Sequence, residues 1–179
     1  MLVESLTGTV LELGCGDGRT FAHYPDSVDR VLAVEPEPHL RELAARAALG
    51  APVAVEVIAG SAEKLPFDDA SIDAAVCSLV LCSVPDEATA LAELRRVVRP
   101  GGQLRFYEHV VARSRAGAHA QRFADRSRFW PTIAAGCHCS RDTGAAITAA
   151  GFEIQASERF TFPKQHAGLP HILGRAVRP

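Results

Sequence analysis

The sequence predicts an α/β fold: a doubly wound, mostly parallel sheet of seven strands, the last one antiparallel, with helices on both faces. Three observations carry that expectation. Strand-like and helix-like patterns alternate through the first two thirds of the chain, as in βαβ units around a parallel sheet. "IDAAVCSLV" (Ile72–Val80) is nearly all apolar, as expected of a strand covered on both faces. The first strand runs directly into "GCGDG" (Gly14–Gly18), a turn rich in glycine.

The elements follow in order. "TVLELG" (Thr9–Gly14), "RVLAVE" (Arg30–Glu35) and "VAVEVIAG" (Val53–Gly60) read as the first three strands, Ile72–Val80 as the fourth, and "QLRFYEH" (Gln103–His109) as the fifth, after a Pro-Gly-Gly turn. Pro38–Leu49 places Leu40, Leu43, Ala44, Ala47 and Ala48 on one helical face. Asp86–Val98 repeats that spacing, with Asp86 as N-cap and Pro100-Gly101 as the stop. A helix is expected over Ala116–Phe129, followed by Trp130-Pro131. A short helix capped by Ser140 and ended by Gly151 comes next. Phe152–Phe160 and His171–Arg178 read as two late strands, a hairpin-like pair antiparallel to at least one neighbour.

The bulk composition narrows the partners. A chain of 179 residues, 47% apolar and 22% charged, reads as one domain spanning 1–179. A net charge of −2 gives no reason to expect a nucleic acid. Arg113, Arg115, Arg122, Arg126 and Arg128 lack interleaved aromatics for base stacking and read as a solvated helix face. The longest apolar run, Ala74–Val84, is far short of the ~20 residues that span a bilayer, and "MLVESLTG" lacks an export pattern. Neither membrane insertion nor secretion is therefore expected. Five cysteines, an odd number, argue against a disulfide framework and fit the reducing cytoplasm.

Chemistry concentrates in "VLELGCGDGR". Gly14, Gly16 and Gly18 let the backbone turn tightly and let a ligand approach, and a following helix N-terminus would supply free N–H groups. The second strand ends at Glu35, where a carboxylate can accept hydrogen bonds from two ribose hydroxyls. The pattern indicates a cofactor containing a nucleoside, or else a glycine turn with no ligand. His109 ends the fifth strand, at the sheet edge where ligands bind. It is the candidate base or acceptor-orienting group, with a loop-capping histidine as the alternative. Phe129 and Trp130 either roof an apolar pocket or pack in the core. In "GCHCSRDT" (Gly136–Thr143), Cys137 and Cys139 are separated by one residue, whereas zinc pairs are usually separated by two to four. No metal is expected. Cys137 is expected to pack inward, with His138 as a pocket residue.

These segments carry a resemblance. "ELGCGDG", "AGSAEKLPFDDASID" (Ala59–Asp73) and "LAELRRVVRPGGQL" (Leu91–Leu104) are similar, in order and spacing, to the motifs of class I S-adenosylmethionine-dependent methyltransferases, whose fold is Rossmann-like. "SLVLCSV" (Ser78–Val84), "FYEHV" (Phe106–Val110), "GCHCSRDT", "AAGF" (Ala149–Phe152) and "PHILGRAV" (Pro170–Val177) resemble the methyltransferase-like thiol S-methyltransferases, relatives of the ubiquinone/menaquinone-biosynthesis type. The resemblance implies methylation of a small molecule, a thiol above all, with S-adenosyl-L-methionine as donor and S-adenosyl-L-homocysteine as product. It implies that Glu12, Gly14, Cys15, Gly16 and Gly18 border the methionine part, Glu35 and Pro36 the ribose and adenine, Ala62 and Glu63 the adenine, and Ser78 and Leu79 the sulfonium. His109, Trp130 and His138 would line the acceptor pocket, under a cover formed by residues 110–139. Animal members carry an N-terminal hydrophobic anchor, and the family carries a covering helix. With the first strand pattern starting at Thr9, neither is expected here. An O- or C-methyltransferase of quinone or natural-product biosynthesis is the neighbouring alternative. A cofactor-binding module that needs a partner is the alternative from another class.

Overall fold

The computed structural model describes residues 2–127, 129–162 and 168–179. Its sheet has seven strands: β1 (Gly8–Leu13), β2 (Val28–Glu35), β3 (Ala54–Ala59), β4 (Ile72–Ser78), β5 (Val98–His109), β6 (Glu153–Thr161) and β7 (Pro170–Val177). The spatial order is β3-β2-β1-β4-β5-β7-β6. Neighbours from β3 to β5 pair in parallel, and β7 runs antiparallel to both β5 and β6. The fold is the doubly wound α/β class expected from the sequence, with β7 as its reversed strand.

Alternation along the strands sends side chains to two cores. Leu11 and Leu13 of β1 and Ala75 and Cys77 of β4 face one side, where they meet Ala90, Leu91 and Leu94 of α2 (Glu87–Val97) and Ile147 of α5 (Thr143–Ala149). Val10, Ala74 and Val76 face the other side, against Ala44 of α1 (Pro38–Ala48) and Phe21. Each fully buried Leu among these contributes about 1.5–3 kcal/mol by leaving water. That two-sided burial explains why β4 is apolar from Ala74 to Cys77.

Several elements differ from the sequence expectation. No α-helix follows the glycine turn: the chain makes only a 3-10 turn at Phe21–His23 before Pro25 and the start of β2. The loop's own N–H groups must therefore do what a helix terminus was expected to do. The expected helix over Ala116–Phe129 is two helices, α3 (Arg115–Arg126) and α4 (Phe129–Ile133), separated after the C-cap Ser127. Pro131 lies within α4 because the first turn of a helix has no intrahelical partner for its N–H groups. Asp142, not Ser140, caps α5, its carboxylate accepting from the Ala145 N–H at 3.3 Å. The Ser140 hydroxyl is engaged elsewhere, donating to Asp125 Oδ2 at 2.5 Å. β5 starts at Val98, earlier than expected, with Pro100-Gly101 inside the extended segment rather than before it.

Residues 110–139 are stitched down by α3. Gln121 Oε1 accepts from the Ala112 N–H, while its amide donates to the carbonyls of Val110 and Cys139. One turn later, the Asp125 carboxylate accepts from the N–H groups of Cys139 and Ser140. Both residues lie on one helical face by their i, i+4 spacing. Arg115, Arg122 and Arg126 of α3 are exposed, as is Arg113 just before it, and Arg128 lies outside the described residues.

Candidate active site

A cavity of about 600 Å³ opens at the carboxyl ends of β1, β2, β4 and β5, where open α/β sheets bind their ligands. Its walls include Gly14, Gly16, Glu35, Pro36, Ala62, Glu63, Ser78, Leu79 and His109, nine positions expected from the sequence. It also includes Cys82, which sequence reasoning did not assign to it, and Ala134, Ala135 and Cys137, which fall within the expected cover segment 110–139.

One end is built by the glycine turn. Gly16 has φ +57°, and a Cβ placed there would meet nothing within 4 Å, so its missing side chain is open cavity. Gly14 is closed in: a Cβ would approach Val80 Cγ2 to 2.5 Å. Glu35 fixes the turn to the end of β2. Its Oε2 accepts from the Gly16 N–H at 2.9 Å and its Oε1 from the Glu37 N–H at 3.0 Å. A carboxylate oxygen has more than one acceptor site, so both remain able to take a ligand hydroxyl. Across the cavity, Glu63 Oε1 is buried without a hydrogen-bond partner among the described residues. A buried acceptor of that kind needs a donor, and a hydroxyl or amino group of a nucleoside would supply one. The open space at Gly16, the strand-end carboxylate of Glu35 and this orphaned oxygen together fit a nucleoside donor.

Other expected residues stand behind the wall. Gly18 does not line the cavity; it packs under Phe21 and Ala47. Cys15 is buried, and its thiol is pushed up to about 12 by desolvation and the nearby carboxylate of Glu12. Glu12 is 2% exposed and accepts from the Tyr24 hydroxyl at 2.8 Å. Burial raises its carboxyl to about 7, against the pull of that hydrogen bond.

The middle of the cavity is shaped by the exit of β4. Leu79 has φ +58°, a left-handed conformation that costs a branched side chain about 1–2 kcal/mol. Its N–H is held by the Tyr107 carbonyl at 2.7 Å. The next three N–H groups, of Val80, Leu81 and Cys82, all donate to the Glu108 carboxylate, at 3.1, 3.0 and 3.1 Å. Glu108 is fully buried, and burial pushes its carboxyl well above the ordinary range against those three amides. Strand alternation therefore sends Glu108 to anchor this loop and His109 to the cavity, so Glu108 does not orient His109.

The other end is sulfur-rich. His109 Nδ1 lies 3.4 Å from Cys137 Sγ and 3.9 Å from Cys82 Sγ. The His109 ring leans on His171, with centroids 4.5 Å apart, and His171 stacks on Tyr107 and Phe160. Cys82 is pushed up to about 12, by its hydrogen bond to Cys137 and then by burial, and the same bond draws Cys137 down. Of the octet Gly136–Thr143, Cys137 reaches the cavity. His138 does not line it, and its N–H instead pins the segment to the Cys82 carbonyl at 2.7 Å. Trp130 packs behind Cys82 and Cys137 and does not line the cavity. The Phe129 side chain lies outside the described residues. A second cavity of about 600 Å³, between α2 and α5, holds none of the expected residues.

The fold and this strand-end cavity define a class. Residues 11–106 match the model of the methyltransferase domain family, and the chain belongs to that family. It is an S-adenosylmethionine-dependent methyltransferase. Among its relatives, thiol S-methyltransferase TMT1B of Homo sapiens is 36% identical over 188 residues, covering 98% of this chain and 75% of the relative. Two solved structures share the fold. One is the YcgJ protein of Bacillus subtilis, with a TM-score of 0.75, 20% identity, and coverage of 96% of this chain and 92% of that one. The other is a geranyl diphosphate methyltransferase in complex with SAM, with a TM-score of 0.76, 15% identity, and coverage of 99% and 81%. No helix among the described residues is long and apolar enough to cross a membrane.

Proposed function

We propose that this enzyme methylates the sulfur of a small-molecule thiol, with S-adenosyl-L-methionine as donor and S-adenosyl-L-homocysteine as product. The observation that carries this reading is the two-ended cavity: Gly16, Glu35 and Glu63 at one end, Cys82, His109 and Cys137 at the other, and Ser78–Leu79 between them. The relatives named thiol S-methyltransferase support the choice of sulfur.

The donor, when bound, supplies a methyl group already activated by a positive sulfonium. The protein then has to hold, align and dehydrate. Gly16 leaves room for the methionine portion. Glu35 accepts from the ribose hydroxyls, and Pro36, Ala62 and Glu63 border the adenine. Residues 110–139, tied to the sheet edge by Gln121 and Asp125, cover the acceptor. Alignment of nucleophile and methyl can supply up to about 7–11 kcal/mol of the barrier. A free thiol with pKa near ~8.5 is a few per cent thiolate at neutral pH, so His109 has to orient the acceptor more than deprotonate it. The five free cysteines suit a reducing compartment such as the cytoplasm.

The test is turnover with S-adenosyl-L-methionine and a panel of small thiols, phenols and amines, read by mass spectrometry. Methyl thioethers are expected. Methylation of phenols or carbon acceptors with every thiol untouched would remove the sulfur assignment.

A further inference from the structure

We propose that Cys82, His109 and Cys137 form a three-ligand site for a soft divalent cation, Zn2+, whose fourth position opens into the cavity and takes the acceptor's sulfur as a thiolate. This rests on the reading of the cavity as a thiol methylation site, and it names how the acceptor is held there.

The geometry carries it. Cys82 Sγ, Cys137 Sγ and a ring nitrogen of His109 all lie within 4.8 Å of one another. Tetrahedral zinc, with bonds of about 2.3 Å to sulfur and about 2.0 Å to nitrogen, sets a ligating sulfur and nitrogen about 3.6 Å apart. The distances from His109 Nδ1, 3.4 Å to Cys137 and 3.9 Å to Cys82, fall on either side of that value. Small side-chain rotations would complete the set.

The three ligands come from separate segments, each held by its backbone. Cys82 follows β4 and gives its N–H to Glu108. His109 ends β5, paired with His171 of β7. Cys137 follows α4, its N–H on the Ala134 carbonyl, and the next residue is bonded to the Cys82 carbonyl. A site fixed at three anchors is formed before any ligand arrives, which favours tight capture. All three residues line the same cavity, so the protein fills three positions and leaves the fourth open, the pattern of catalytic rather than structural zinc. Two sulfurs and one imidazole select zinc over magnesium or calcium.

The open position suits the chemistry. Coordination deprotonates a thiol, so the acceptor S–H bond breaks and its proton goes to solvent. The sulfur lone pair then forms the new S–CH3 bond. The bond from methyl to the donor sulfonium breaks, and its electron pair stays on the departing sulfur. Two protein thiolates and Zn2+ sum to zero charge. A bound acceptor thiolate makes the site negative, facing the donor's positive sulfur, and transfer of the methyl neutralises both.

Cobalt replacement tests this. The protein is stripped with a chelator under a phosphine reductant, titrated with Co2+ or Zn2+, and followed by absorbance and circular dichroism. One equivalent of Co2+ is expected, with thiolate-to-metal charge-transfer absorbance that falls by about half in Cys82→Ser or Cys137→Ser. Addition of a small thiol should increase and shift that absorbance. Removal and return of zinc in the wild-type chain should lower and restore thiol turnover at least tenfold at neutral pH. Absence of stoichiometric uptake overturns the inference, as does uptake indifferent to both substitutions or a spectrum blind to the thiol. Full thiol turnover by the zinc-free protein overturns it too, and leaves thiol methylation standing. Uptake with the expected spectra but no methylation of any thiol keeps the site and overturns the thiol reading.

Discussion

Glu12 near the end of β1 and Gly16 in the turn that follows it have opposite exposures, Gly16 touching the cavity and Glu12 hidden behind it. Gly16→Ala adds a methyl group into open space at a left-handed position. It should cost only about 1 kcal/mol of stability but weaken S-adenosyl-L-methionine binding by about tenfold or more, equivalent to about 1.4 kcal/mol. Calorimetry together with thermal melts separates the two effects. Glu12 makes the unliganded protein sensitive to pH. Its carboxyl titrates near 4.5 unfolded and about 7 folded, so between those values the unfolded chain loses the proton first. Stability should therefore fall as pH rises through that window, by roughly 3 kcal/mol in all, and then level off. Denaturant melts of Glu12→Gln, which keeps an acceptor for Tyr24, should show most of that slope gone. An equal slope in both proteins would assign it elsewhere. The letters of "ELGCGDG" announce a ligand turn that includes Gly16, but which of its glycines faces the cavity depends on Val80, Phe21 and Ala47, and the hidden place of Glu12 was not readable there.

At the scale of elements, the junction between β4 and β5 sets the cavity. The Glu108 carboxylate gathers three consecutive amides and so dictates where Leu79 and Cys82 stand. Glu108→Gln turns one acceptor into a donor facing those amides. It should lower stability by about 2 kcal/mol and reduce donor affinity as well, measured by denaturation and calorimetry. If stability falls and affinity holds, the loop geometry is secured by something else. The sequence marked β4, the end of β5 and the strand-end glycine turn well, because local periodicity and spacing encode them. It did not mark Glu108 as an anchor, since the partners are backbone groups 26 to 28 residues away. The same limit hid the Cys82–His109–Cys137 cluster: adjacent Cys137, His138 and Cys139 drew attention, yet only Cys137 turns inward to the cavity. The cap of α5 was missed for a related reason, although Asp86 caps α2 as expected. Asp125 takes the Ser140 hydroxyl, leaving Asp142 to cap α5.

Across the whole molecule, alternation of strand and helix patterns was enough to give the class of sheet, because burial on both faces leaves a mark on every central strand. The cover over residues 110–139 was not legible in that way. Its position comes from Gln121 and Asp125 reaching chain segments well separated in sequence. The antiparallel strand carries a consequence for how the protein reaches this state. β7 comes last in the order of elements, yet it stands between β5 and β6. β6 joins the sheet only through β7, and Gln103 must wait for Val177. The β6–β7 pairing is local, with Thr161 opposite Pro170, and can form on its own; its docking on β5, with His109 opposite His171, must close a long loop before it gives anything back. During refolding, pulsed hydrogen exchange should protect the amides that β6 and β7 share before those that β5 and β7 share; simultaneous protection of both sets would mean that the pair does not form ahead of its docking. His171 reaches His109 only when that pair docks on β5, so the sulfur end of the cavity should be assembled in the docking step and not by the strand that carries His109 alone.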